Sequence, residues 1–250
     1  MGRCCFDKII AGVIFSLSFT WNTAEARCLL ADKFRQEGKK TQEIIAINAC
    51  AVQYNDDESQ MKMAELLMNG SNEVQKDEFE ALYMYQLAAE TGNAEAQVKL
   101  AEILTGFDTS SERRSQLKGY QERLQTIPNT SSAFKGEILH PYTLLLLASE
   151  RPENKWYYPS SSRAAPARAS ALLSSYKISP EKKQAALNDA SRWKTRKLLE
   201  AAKEVLSDSE YEDFENRLKN NSTRTEATNQ LKERITNYIE NKKKERAISL

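Results

Sequence analysis

The sequence predicts an all-α fold: a short solenoid of antiparallel helix-turn-helix repeats followed by charged C-terminal helices. Two stretches are alike at an offset of 37 residues, the distance from Gln60 to Gln97, and helix-turn-helix solenoids have periods in this range. Glycine and proline are few, at 8 and 6 of 250 residues, whereas sheet-rich folds need more turn residues. Apolar residues make up 40% and charged residues 28%, which suits an elongated helical protein with a large surface.

The N-terminus has the pattern of a signal peptide. Arg3 and Lys8 supply positive charge, and residues 9–19 form an apolar stretch that is too short to span a bilayer. Ala24-Glu25-Ala26 provides an A-x-A motif, which predicts a signal peptide over residues 1–26 and cleavage after Ala26. The mature chain would then be periplasmic or secreted, without an integral membrane segment. The alternative is a retained N-terminal anchor.

Cleavage would remove Cys4 and Cys5 and leave Cys28 and Cys50 as the cysteines of the mature chain. An even pair in an exported protein indicates a disulfide. Cys28 opens the first mature helix and Cys50 lies near the end of the next, and these two ends meet in an antiparallel hairpin. Closing a loop of this length stabilises by about 3 kcal/mol in the chain-entropy model. The alternative is two independent buried thiols.

The repeat is visible when residues 51–67 are placed above residues 88–104. Ala64 and Leu67, and their equivalents in the second stretch, are spaced so that they share one helix face, which predicts a packed core. Several residues recur unchanged, namely Ala51, Glu58, Gln60, Lys62, Ala64, Glu65 and Leu67.

Glycines mark the ends of the repeat helices. Gly92 follows one helix, where it is expected to take the left-handed C-cap conformation, and Asn93 starts the next helix. Gly70 and Gly106 are expected to close the following helices in the same way.

Residues 81–101 resemble the Sel-1-like repeat family, which is similar to tetratricopeptide repeats with a slightly longer unit. The resemblance is closest over residues 58–106 and looser over residues 28–57, and Met84 stands where the family prefers Trp. The positions that match the family pattern are Tyr85, Ala88, Ala89, Gly92, Asn93, Ala96, Gln97, Leu100 and Gly106. Ala64 and Gly70 are further repeat-structural positions.

This resemblance implies a concave groove that holds peptides or helices of other proteins. Exported members of the family include periplasmic regulators of exopolysaccharide signalling, scaffolds of alginate export and host-interaction factors. We therefore expect a periplasmic or secreted protein-binding adaptor or regulator, in exopolysaccharide regulation or export. The alternative is a secreted virulence factor that binds a host protein; periplasmic retention would favour the first and release into the medium the second.

Beyond the array of residues 27–110, the repeats decay through residues 111–193. Pro141 is expected to break or restart a helix near His140, and residues 151–166, with three prolines, are predicted to form a loop. Ser179 and Pro180 have the order of an N-cap and first helical residue, and the helix that follows resembles the cap of Sel-1-like arrays. The predicted helices cover residues 111–125, 131–149, 167–176 and 179–193.

Residues 194–250 form a charged extension that contains no glycine or proline. Apolar residues at helical spacing predict two amphipathic helices separated near residues 220–222, of which the first is expected to pack on the array. The second has a thin apolar stripe, which indicates partner binding, self-association into a homo-oligomer, or a solvated terminal helix.

The chemistry that the sequence offers favours binding over catalysis. His140 is the only histidine, which argues against a catalytic triad or a metal site built from histidines. The position of His140 before Pro141 predicts that it is a packed residue at the start of a helix. No phosphate loop or dinucleotide-binding glycine pattern occurs. We expect no enzyme activity, cofactor or metal. The net charge of +1 is too small to attract nucleic acid, so we expect no nucleic-acid partner.

Trp156, Tyr157 and Tyr158 are the candidate partner-binding residues. Tryptophan and tyrosine are enriched in binding hot spots, and an exposed aromatic cluster in a loop indicates a contact surface. The alternative is that these rings fold back over the end of the array.

Overall fold

The structure is a computed structural model that describes residues 24–53, 56–107, 111–126, 139–150 and 164–248. Within these ranges it contains eleven α-helices and no strand. The helices are α1 (Ala24–Gln36), α2 (Lys40–Gln53), α3 (Asp57–Asn69), α4 (Glu78–Glu90), α5 (Ala94–Phe107), α6 (Ser111–Thr126), α7 (Pro141–Ser149), α8 (Ala165–Ser175), α9 (Pro180–Val205), α10 (Asp208–Lys219) and α11 (Asn221–Ile248).

Helices that follow one another along the chain pack side by side, from α1 to α5 and then from α5 to α7 and α8. Helix α6 is an insertion, because α5 packs more extensively on α7 than on α6. The end of the array is covered by α9, which packs on α7. The predicted all-α solenoid with C-terminal helices is therefore confirmed.

The hydrophobic core of the array runs along the repeat positions. Several of these positions are alanines, which allow neighbouring helices to approach closely, and larger side chains fill the space between them. Those that are buried include Ala64, Tyr85, Ala88, Ala89, Asn93, Ala96, Gln97 and Leu100. Burial, and then the nearby carboxylates of Glu65 and Glu95, raise the pKa of Tyr85 to about 12, so its hydroxyl stays neutral at ordinary pH.

Polar side chains join helices both within each repeat and between the two repeats. Asn93 accepts a 3.0 Å hydrogen bond from the amide of Ala96, which caps α5, and its own amide donates to Asp57 at the start of α3 over 2.8 Å. Gln60 and Gln97 donate to main-chain carbonyls at the ends of α2 and α4, over 3.1 Å in each case. The repeat is thus stabilised by polar contacts as well as apolar packing.

Two of the three expected glycine C-caps occur. Gly70 has a φ of 73° and Gly92 has a φ of 97°, in the region where a side chain is strained. The expectation for Gly106 is wrong, because Gly106 lies inside α5 and its φ is not positive. The helix continues one residue beyond it to Phe107, so no left-handed turn is needed there.

The disulfide between Cys28 and Cys50 is confirmed. Their Cα atoms are 5.5 Å apart, and Cys50 is fully buried. The bridge joins the beginning of α1 to the last turn of α2, so it ties the terminal hairpin of the array together.

The restart at Pro141 is also present. His140 is half-buried, and its Nδ1 accepts a hydrogen bond from the amide of Tyr142 over 3.1 Å, so His140 is the N-cap of α7. Helix α8 begins at Ala165, two residues earlier than predicted, because Pro166 fits the first turn of a helix.

The cap at Ser179 occurs as predicted, but the expected end of the helix near Trp193 is wrong. Ser179 accepts from the amide of Lys182 over 3.4 Å, and α9 then continues without interruption to Val205. It continues because no glycine or proline interrupts residues 194–205 and because Ala202 packs in a second core.

This second core lies between the end of α9 and helices α10 and α11. It contains Ala202, Phe214, Leu218, Ala227, Leu231 and Ile235. The first helix predicted for the extension is divided between the end of α9, where Arg196 contacts Glu90 of the array, and α10, which packs mainly against α11 and α9. The predicted separation near residue 220 occurs between α10 and α11, and a further break at Leu206 was not predicted.

Within the described part of the chain, no helix has both the length and the apolar character needed to cross a membrane. Residues 1–23 lie outside it, so the signal peptide stays a prediction.

Candidate functional site

The predicted contact residues Trp156, Tyr157 and Tyr158 lie outside the described residues, so their role stays a prediction. A different surface emerges on α4, the first helix of the second repeat. Its buried repeat face carries Ala81 and Ala88. The opposite side, half a turn round the helix at 100° per residue, carries a row that we name the α4 stripe. The stripe comprises Phe79, Tyr83, Gln86 and Glu90.

The α4 stripe is unusual because it combines aromatic rings with buried polar groups. Phe79 and Tyr83 are half-buried, whereas the side chains of Gln86 and Glu90 lie in residues that are only 3% and 6% exposed. Buried polar groups need hydrogen-bond partners, and a charged one needs a counter-ion. Here those partners come from helices far away in the sequence.

At the C-terminal end of the stripe, α9 covers Glu90. The indole Nε1 of Trp193 donates to Glu90 Oε2 over 3.2 Å, and a guanidinium nitrogen of Arg196 donates to the same oxygen over 2.5 Å. Trp193 is itself only 2% exposed and packs with Leu147 of α7. The ion pair and the indole hydrogen bond therefore attach α9 to the second repeat.

At the N-terminal end, α6 covers the stripe through Tyr120. Its hydroxyl donates to Gln86 Oε1 over 3.0 Å, and its ring meets Phe79 edge to face with centroids 5.1 Å apart. Burial, followed by the charge of Glu80 and the neighbouring Tyr83, raises the pKa of Tyr120 above its ordinary value. The hydroxyl therefore remains a hydrogen-bond donor at neutral pH.

Most of the side chains of α6 that the structure describes are exposed. Among its described side chains Tyr120 alone is buried, while Leu117 and Gly119 are half-buried and the others are exposed. Burying a tyrosine ring contributes roughly 1.5–3 kcal/mol and its hydrogen bond about 1 kcal/mol. This gain is opposed by the entropy lost in ordering a polar helix, so the net stabilisation from the Tyr120 contact is modest.

A concavity of about 640 Å³ lies between α5, α7, α8 and the start of α9. His140 and Tyr176 line it, with ring centroids 6.3 Å apart. The volume is in the range of small-molecule sites. However, Nδ1 of His140 accepts the capping hydrogen bond of α7, so this atom cannot act as a base while the cap is formed.

The described ranges contain no cluster of three or more histidine, cysteine, aspartate or glutamate side chains that could hold a metal ion. At the α4 stripe, Phe79 and Gln86 together can accommodate a side chain that is both aromatic and a hydrogen-bond donor. Sequence reasoning missed Tyr120 and Glu90. The signal that existed was a lone aromatic residue in a polar helix, which does not reveal the surface that it covers.

Comparison with known proteins finds no matching family model, no matching curated protein and no matching solved structure.

Proposed function

We propose that this chain is a protein-binding adaptor or regulator that works outside the cytoplasm, in the periplasm or after secretion. The observation that carries the proposal is the α4 stripe, where half-buried Phe79 and Tyr83 lie in one row with the buried acceptor Gln86 on one face of a repeat helix. Aromatic residues beside a small number of placed polar groups are typical of surfaces that bind peptides or helices.

Two further features support this proposal. A stacked helical array provides an extended surface that suits proteins and peptides better than small molecules. The disulfide between Cys28 and Cys50 fits an oxidising compartment, because cytosolic thiols are kept reduced. The resemblance of residues 58–106 to Sel-1-like repeats suggests exopolysaccharide regulation or export as the process.

Site-specific photo-crosslinking in cells that express the chain tests the proposal. We would replace Tyr83 with a photoreactive phenylalanine analogue and use Glu65, an exposed residue of α3, as the matched control position. The expected result is a crosslink to one discrete protein from position 83 and none from position 65. Identical adducts from both positions, or none from either, would contradict the proposal.

A screen of the purified chain against polysaccharides and peptidoglycan tests the competing class, a hydrolase that uses paired carboxylates. We expect no turnover. Turnover that is lost on changing one carboxylate would replace the adaptor proposal with an enzyme.

A further inference from the structure

The contact between Tyr120 and the α4 stripe indicates the kind of partner that the stripe binds. We propose that α6 is an internal mimic of that partner: the stripe binds an α-helix that presents a tyrosine in the position of Tyr120, and α6 leaves when the partner binds. This inference rests on the proposed function and deepens it, since it specifies the chemistry of the bound helix.

The geometry selects tyrosine. The ring fills the space beside Phe79, with centroids 5.1 Å apart, and the hydroxyl reaches Gln86 Oε1 over 3.0 Å. A phenylalanine would fill the same space but could not donate to this buried oxygen, which is costly in a site that is closed to water. A leucine would make neither the hydrogen bond nor the edge-to-face ring contact.

The position of α6 in the chain allows it to leave. Helix α5 packs directly on α7, and α7 on α8, so the solenoid is continuous without α6. The side chains of α6 that the structure describes are mostly exposed, with Tyr120 as the buried exception. Release of α6 therefore uncovers the stripe and leaves the array intact.

The sequence of α6 also lowers its stability as a helix. Gly119 lies in the middle of the helix, where glycine is unfavourable. A Cβ added at this position would meet no atom within 4 Å, so packing does not require the glycine. A helix of this kind makes a weak intramolecular occupant, which is the property that displacement by a partner needs.

Competition follows from the same geometry. A partner helix can bind only the fraction of molecules from which α6 has left, so its apparent affinity is reduced by that fraction. Weakening α6 should therefore strengthen binding, and stabilising α6 should weaken it.

The test uses a fluorescent synthetic peptide with the sequence of residues 111–126, titrated into the full chain. We expect the peptide to bind the Tyr120→Ala chain at least tenfold more tightly than the unaltered chain, as the internal occupant is weakened. The same peptide carrying Tyr120→Ala should bind at least tenfold more weakly. The peptide carrying Gly119→Ala should bind about fivefold more tightly, because alanine favours the helix and lowers the free energy that the peptide needs to become helical on binding.

A second variant protects the test against misfolding. If circular dichroism shows that the Tyr120→Ala chain has lost helix, Tyr120→Phe takes its place, with an expected three- to tenfold gain over the unaltered chain.

Three outcomes would overturn the inference. One is equal binding by the unaltered and variant chains, and another is equal binding by the tyrosine and alanine peptides. The third is a change from dimer to monomer on Tyr120→Ala in light scattering, which would mean that α6 acts between two copies of the chain. None of these outcomes affects the result of the crosslinking experiment at Tyr83. Failure of the proposal for α6 can therefore be distinguished from failure of the adaptor role.

Discussion

Trp193 and Glu90 are 103 residues apart in sequence, yet the indole of one donates to the buried carboxylate of the other over 3.2 Å. Arg196 completes the arrangement as the counter-ion of Glu90, over 2.5 Å. Glu90 is only 6% exposed, and its carboxylate requires such a partner because an unpaired charge is costly away from water. The contact determines where α9 lies on the array.

Arg196→Ala should destabilise the fold by roughly 1–3 kcal/mol, less than for a fully buried pair because the guanidinium side chain is partly exposed. Urea unfolding followed by circular dichroism would measure this change. Arg192→Ala is the matched control, since Arg192 lies on the same helix with its side chain 79% exposed. Its expected effect is within about 0.5 kcal/mol. Equal effects of the two changes would show that Glu90 does not depend on Arg196.

Reduction of the disulfide should lower the free energy of unfolding by about 3 kcal/mol, since it removes the restraint on the unfolded chain. Thermal unfolding with and without a phosphine reductant measures the effect. The double variant Cys28→Ala, Cys50→Ala should resemble the reduced protein and should not respond to the reductant. A double variant that is as stable as the oxidised chain would contradict the role given to this bridge.

Gly92 and Gly106 should respond in opposite directions to the same change. Gly92→Ala should destabilise by about 1 kcal/mol, because φ is 97° there, and Gly92→Val should cost more, since a β-branched residue is strained further. Gly106→Ala should be neutral or stabilise by up to about 1 kcal/mol, as an added Cβ meets no atom within 4 Å inside a helix. Melting temperatures of the three variants provide the measurement, and an unchanged value for Gly92→Val would refute the strain argument.

Acid should loosen the C-terminal helices through Glu210. This carboxylate pairs with Arg234 over 2.6 Å and accepts from the amide of Ser207 over 3.0 Å, and these contacts lower its pKa from 4.5 to about 2. A lowered folded-state pKa stabilises the fold above the unfolded value, and this stabilisation is lost as the pH falls from about 4.5 to about 2. The effect is modest because the group is exposed.

Comparison of the unaltered chain with Glu210→Gln would isolate this contribution. The stability difference between the two should be largest near neutral pH and should vanish near pH 2. A difference that is independent of pH would exclude the titration of Glu210 as its cause.

Local patterns explain why so much of the fold was predictable. The recurrence of Gln60 at Gln97 predicted stacked hairpins, and the two cysteines that follow the predicted cleavage site predicted the bridge between α1 and α2. Ser179 followed by Pro180 predicted the start of α9. Caps, repeat faces and hairpins depend on residues that are near in sequence or repeat at a fixed spacing, so the sequence alone contains their signal.

Other features depend on distant partners. The break before α10 had a local signal that was missed, since Ser207 and Glu210 have the spacing of a capping box. No comparable signal indicated that Tyr120 would cover Gln86 or that Trp193 would reach Glu90.

The sequence by itself therefore determined the class of fold, the repeats, the disulfide and most helix starts, because these follow from short-range spacing. The tertiary structure alone decided that α6 lies over the α4 stripe and that α9 spans two hydrophobic cores. The physical reason is that a buried polar group must find a partner somewhere in space, and chain folding, rather than local sequence, decides which distant side chain supplies it.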